Sequence, residues 1–264
     1  MAVKSTLKKI IGDLPFTAEI DWMLRSKNRP RNDHFNLDRL QRSLKMARAA
    51  VEPIARKAKR GKQVLFFATL HYWIEQSAYL GLALAGLGHQ VTLLTLPYSE
   101  WHKEKDGFTQ RQRVLHTKDA LASLSPLVKH DSMLDLRPVT VLPDSLQADV
   151  KEVSLWDVQY TLMREEVDMN DSGDRALYEL RIQRNTFAAR AAFEYLQSNK
   201  PDVVLIPNGL ILEMGIVFRV ARYLGIDAVT YEFNDQREQI WLAQNSSIMQ
   251  QDTNYIVDAR CHLP

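Results

Sequence analysis

The sequence predicts an α/β protein built on a doubly wound, mostly parallel sheet, with a helical extension at its N-terminus. Three observations predict it. The short apolar runs "VLFFAT" (64–69), "VTLLTL" (91–96) and "VVLI" (203–206) have the composition of strands covered on both faces. Helix-length stretches lie between such runs, so strands and helices alternate along the chain. Gly88 and the pair Asn208-Gly209 sit at the junctions, where a helix or strand must turn.

The elements follow in order. Residues 1–35 are polar and broken by Pro15 and Pro30, which predicts irregular or loosely docked chain. A basic amphipathic helix comes next, with Leu37, Leu40, Leu44, Ala47, Val51 and Ile54 at helical spacing and Arg and Lys opposite. Residues 64–69 form the first strand, Ile74 to Leu87 its helix, and 91–96 the second strand. The polar stretch 97–137 is helical in part, and "VTVL" (139–142) reads as the third strand. Two long helices, over roughly 146–167 and 175–198, flank a polar loop at 168–174. The fourth strand (203–206), its helix (Leu210 to Leu224), a fifth strand (228–232) and a final helix from about Gln236 to Met249 complete the series. Right-handed crossovers would place all strand C-termini on one rim, where such sheets bind ligands.

Composition narrows the class. Of 264 residues, 45% are apolar and 25% charged, as in an ordinary globular chain with enough core for one large α/β domain or two small ones. A single cysteine, Cys261, excludes a disulfide framework and a cysteine-built zinc site and fits a reducing compartment. Neither the N-terminus nor the apolar stretch from Ala78 to Leu87 has the length of a signal peptide or a membrane span, so the expected location is cytoplasmic. Net charge is +2, yet residues 1–63 carry 16 Lys/Arg against 6 Asp/Glu. That excess suits an anionic membrane face or nucleic acid, or equally a solvated helix face. No nucleic-acid recognition motif accompanies it, which makes nucleic acid the weakest of the three.

Several chemistries lack their motif. Bulky "LHYWIEQ" follows the first strand where a dinucleotide site needs glycines, and no phosphate loop or G-x-S-x-G elbow is present. The seven histidines form no H-x-x-x-H pair, so no metal site is expected. The remaining candidates lie at strand ends. His71 has the chemistry of a general base, or of a helix-start histidine beside core rings. Tyr72 and Trp73 offer flat faces that suit sugar rings or a core. Asn208, Gly209 and Glu213 follow the fourth strand, where a glycine permits close backbone approach; a carboxylate at a helix start is favoured by the dipole regardless. Glu232, Asn234, Asp235, Arg237 and Glu238 crowd the end of the fifth strand, with Asp235 and Glu238 also spaced as a capping pair.

Two long pieces, 64–98 and 201–233, resemble the N-terminal, acceptor-side half of bacterial GT-B glycosyltransferases of capsular and surface polysaccharide biosynthesis. Gly88-His89-Gln90-Val91 matches that half's helix-to-strand turn, and the stretch from Lys200-Pro201-Asp202 to Glu232 is similar to its later strands. The resemblance covers roughly residues 60–250. It implies a Rossmann-like domain over 61–252, preceded by a basic extension (1–60) and followed by a tail (253–264) that reads as a truncated interdomain connection. It further implies a glycan or lipid-linked acceptor, with His71 as base and Glu213 or Glu232 orienting hydroxyls. The nucleotide-sugar donor would belong to a C-terminal domain or separate chain. On that reading this chain holds no cofactor itself, is inactive alone, and has peripheral contact with an anionic inner membrane face. The alternative is a non-catalytic Rossmann-like module for a ligand or partner.

Overall fold

A computed structural model describes residues 14–24, 35–98, 100–104, 106–233 and 239–248. Among these, helices α1 (Thr17–Leu24) and α2 (Asp38–Ala55) precede strand β1 (Gln63–Thr69). Then come α3 (His71–Gly86), β2 (Gln90–Leu96), α4 (Gly107–Leu121) and β3 (Val128–Ser132). Two long helices, α5 (Asp144–Leu162) and α6 (Ser172–Asn199), lead to β4 (Val203–Pro207), α7 (Leu212–Tyr223), β5 (Asp227–Phe233) and β6 (Ile240–Gln244).

The strands form one sheet in the order β3-β2-β1-β4-β5-β6. Every pairing is parallel except β5 with β6. The chain winds outward from β1 to β3, returns through α5 and α6, and winds outward again from β4, so the doubly wound, Rossmann-like expectation holds. β1 lies centrally and is buried along its length from Val64 to Thr69, which accounts for its unbroken apolar run. One face packs Leu65, Phe67, Leu94 and Val204 beneath α5, α6 and α7. The other packs Val64, Phe66 and Leu93 beneath α2 and α3, with Ala120 and Leu121 of α4. No helix among the described residues is long and apolar enough to cross a membrane.

Three expectations need correction. The third strand is 128–132, not 139–142. The VKHDS strand pairs on one side only, with β2, and so keeps a polar face, whereas Val139 and Val141 are 87% and 77% exposed. The backbone N–H groups of Val139 and Thr140 instead donate to Glu194 Oε1 at 2.8 and 2.7 Å. The expected final helix is a strand over 240–244, paired antiparallel with β5. Part of the extension is not loose, because α1 is docked on α4 through Trp22 Nε1, which donates to Asp119 Oδ2 at 2.9 Å.

Candidate functional site

The sheet's winding reverses between β1 and β4, and at such a switch point sheets of this kind bind ligands beside the C-terminal ends of their strands. Only Leu70 separates β1 from α3. It adopts φ 61°, ψ 146°, a conformation that costs a non-glycine residue on the order of 1–3 kcal/mol, and its side chain is buried. This tight junction makes His71 the first residue of α3, three positions earlier than the apolar pattern suggests. The first turn of α3 has no side-chain cap. Thr69 Oγ1, buried at the end of β1, has no hydrogen-bond partner.

A row of rings runs from His71 at the start of α3 to the end of β5. His71 stands edge-on to Tyr72 at 5.4 Å between centroids, and Tyr72 is 5.4 Å from Trp73. Trp73 meets Tyr231 of β5 at 5.8 Å, and Tyr231 meets Phe233 at 6.2 Å. Tyr231 is fully buried and shares a 2.7 Å hydrogen bond with Ser77, so it anchors the row. Tyr72 and Phe233 are 42% and 43% exposed and present ring surface at either end. Burial raises the Tyr72 pKa against the influence of the Trp73 indole, with the fields of Tyr160 and Glu232 adding to the rise. Tyr72 therefore stays a neutral hydroxyl near the Glu232 carboxylate. Burial also raises the Glu75 pKa, while His71 and Arg39 pull it down.

The turn after β4 is organised by Asn208. Its φ is 57°, and its Oδ1 accepts from Leu210 N and Ile211 N at 2.9 and 3.2 Å. Its Nδ2 donates to Glu232 Oε1 at 2.6 Å, which ties the ends of β4 and β5 together. Gly209 has a different role from the one expected. A Cβ there would lie 2.3 Å from Thr230 Cγ2, so the close approach of this turn to β5 by itself requires glycine.

Glu213 is not a rim residue. It is 1% exposed, and its Oε1 accepts from Arg181 Nη2 at 2.9 Å. Arg181, also fully buried, donates from Nε to Asp157 Oδ2 at 2.9 Å and from Nη1 to the carbonyl of Trp101 at 3.3 Å. Asp157 Oδ1 in turn accepts the Leu212 N–H at the start of α7, at 2.6 Å. Burial opposes the Arg181 charge, but Glu213 and Asp157 overcome it and raise its pKa. Burial raises Asp157, against the pull of Arg181, Leu212 N–H and Asn185. Nearby Arg184, lowered by burial and supported by Glu213 and Tyr98, supplies a second positive charge against the two carboxylates. Glu213 thus serves the core, joining α5, α6 and α7 to the loop at Trp101.

His71, Tyr72, Trp73, Asn208 and Glu232 therefore lie together at the C-terminal ends of β1, β4 and β5, and Gly209 fits the β4 turn against β5. Asn234, Asp235, Arg237 and Glu238 lie outside the described residues, as does Cys261. Residue patterns alone pass over Glu75, Tyr160, Phe233 and the Asp157–Arg181 pair. Only Glu75 carried a usable signal, since a carboxylate four residues after His71 on a helix shares its face. No family model and no curated protein matches this sequence.

Proposed function

We propose that the chain is the acceptor-binding half of a GT-B-type glycosyltransferase, with the acceptor bound at the C-terminal ends of β1, β4 and β5. The observation that carries this reading is the row of rings from His71 to Phe233, flanked by Glu232. Aromatic faces pack against the apolar faces of sugar rings, and a neighbouring carboxylate accepts from their hydroxyls. On this reading His71 takes the proton of the acceptor hydroxyl as its oxygen bonds to the anomeric carbon and the bond to the nucleotide diphosphate breaks. On this reading the donor nucleotide sugar is held by a C-terminal domain or by a separate chain, as the sequence resemblance implies.

Saturation-transfer NMR with a panel of mono- and disaccharides tests this site. Tyr72→Ala is expected to weaken saccharide binding about tenfold. A parent chain that gives no saccharide signal removes the proposal. The runner-up is a non-catalytic ligand- or partner-binding module. It is favoured by Asn208, whose side chain is wholly engaged inside the protein. Saccharide binding that survives Tyr72→Ala, Trp73→Ala and Glu232→Gln alike would favour that module.

A further inference from the structure

Helix α1 is inside out. The side that meets α4 combines a small residue, an indole and polar groups. Ala18 is fully buried, Trp22 lies 5.9 Å from the His116 ring, and Asp21 accepts from Gln112 Nε2. Arg111 of α4 donates to the Leu14 carbonyl at 2.7 Å and to Thr17 Oγ1 at 3.0 Å, and faces Glu19 at 3.5 Å. The outward side is apolar. Ile20, Met23 and Leu24 recur at i, i+3 and i+4 and are 54%, 85% and 80% exposed, and Phe16, just before the helix, is 69% exposed. An ordinary surface helix has the reverse arrangement, and a stripe of large apolar side chains held outward by polar bonds behind it is a surface made to be covered.

Charge identifies the covering. The stripe lies within the part of the chain that carries 16 Lys/Arg against 6 Asp/Glu. Lys4, Lys8 and Lys9 precede it in sequence, and Arg25, Lys27, Arg29 and Arg31 follow. Helix α2 packs on α4 as α1 does, and it exposes Arg39, Arg42 and Lys45. The two acids of α1 are turned inward to Arg111 and Gln112. A second copy of the chain would bring together two segments with the same excess of positive charge, whereas an anionic bilayer meets both the apolar stripe and that excess.

We propose that α1 is an interfacial membrane helix. It lies in the headgroup boundary of an anionic bilayer, with Phe16, Ile20, Met23 and Leu24 toward the acyl chains and the exposed Arg39, Arg42 and Lys45 of α2 drawn to the lipid headgroups. This inference does not depend on the glycosyltransferase reading, and its failure would leave that reading untouched.

Sedimentation of the full chain with phosphatidylcholine vesicles, with and without about a third phosphatidylglycerol, tests it. Binding is expected only with the anionic lipid. The variant Phe16→Ser/Ile20→Ser/Met23→Ser should keep the parent's circular dichroism and melting temperature, because the replaced side chains are exposed. Its partition coefficient should fall at least about tenfold. Arg39→Gln/Arg42→Gln/Lys45→Gln should weaken binding and flatten its salt dependence. A parent chain that stays in the supernatant with anionic vesicles overturns the proposal, as does a serine variant that sediments like the parent. Light scattering that finds a dimer broken by the serine substitutions, without vesicle binding, assigns the stripe to a second copy and overturns it too.

Discussion

Replacing Arg181 with Met removes the cation between two fully buried carboxylates while keeping most of the side-chain volume. Its guanidinium makes four hydrogen bonds, to Asp157, Glu213, Asn185 and the Trp101 carbonyl. Breaking a buried ion pair by removing one partner costs about 3–5 kcal/mol, because the remaining charge is left uncompensated. In a chain of this size that corresponds to a fall in Tm of roughly 10 °C. The penalty should depend on pH. Stranded carboxylates have folded-state pKa values above their unfolded ones, so the folded variant binds more protons and loses stability as pH rises. The gap between parent and variant should therefore narrow as pH falls from about 7.5 toward about 5.5. Urea unfolding followed by tryptophan fluorescence at those two pH values measures it. The triple variant Asp157→Asn/Arg181→Met/Glu213→Gln, which removes all three charges, should regain most of the loss. A single-variant cost below about 1 kcal/mol at the higher pH, or one that is the same at both, would refute the reasoning.

Two further outcomes are expected. Gly209→Ala sets a Cβ 2.3 Å from Thr230 Cγ2 at a backbone φ of 79° and should destabilise by about 1–3 kcal/mol. Combining it with Thr230→Ser, which deletes that methyl but keeps the hydroxyl that donates to the Ser246 carbonyl, should return part of the loss in a double-mutant cycle. Strict additivity would show that Thr230 does not set the constraint. Burial lowers the His130 pKa to about 4, against Asp131 and Asp135 and with Lys118. The folded state then keeps the ring neutral while the unfolded chain takes up a proton, so this residue's contribution to stability is complete above about pH 6.5 and is lost between there and about 4. The ring keeps partial exposure, so the loss should be on the order of 2 kcal/mol. His130→Gln should flatten the pH dependence of urea midpoints across that window, and an unchanged slope counts against it.

The central strands were legible because both of their faces are covered and their residues are apolar throughout. β3 was not, because an edge strand needs only one ladder partner and VKHDS carries a Lys, a His and an Asp on its way through. Val139 and Val141 misled in the opposite sense, since β-branched residues favour extended chain whether or not a sheet takes it up. β6 was hidden by the sequence before it, where Asp235 and Glu238 are spaced like a helix start. At the site, His71, Tyr72, Trp73 and Glu232 could be placed from strand ends alone. Glu213 could not, since its partner Arg181 is 32 residues away in sequence on another helix.

The bond from Leu212 N–H to Asp157 bears on the order in which the chain folds. α7 has no side-chain cap of its own, and its first donor is satisfied from α5, 55 residues upstream. The start of this helix is therefore not encoded where the helix lies. It becomes defined only after α5 and α6 have docked on the sheet and carried Asp157 and Arg181 into place. α7, and the β4 turn that leads into it, should thus acquire native structure late, with loop closure preceding the helical start it fixes.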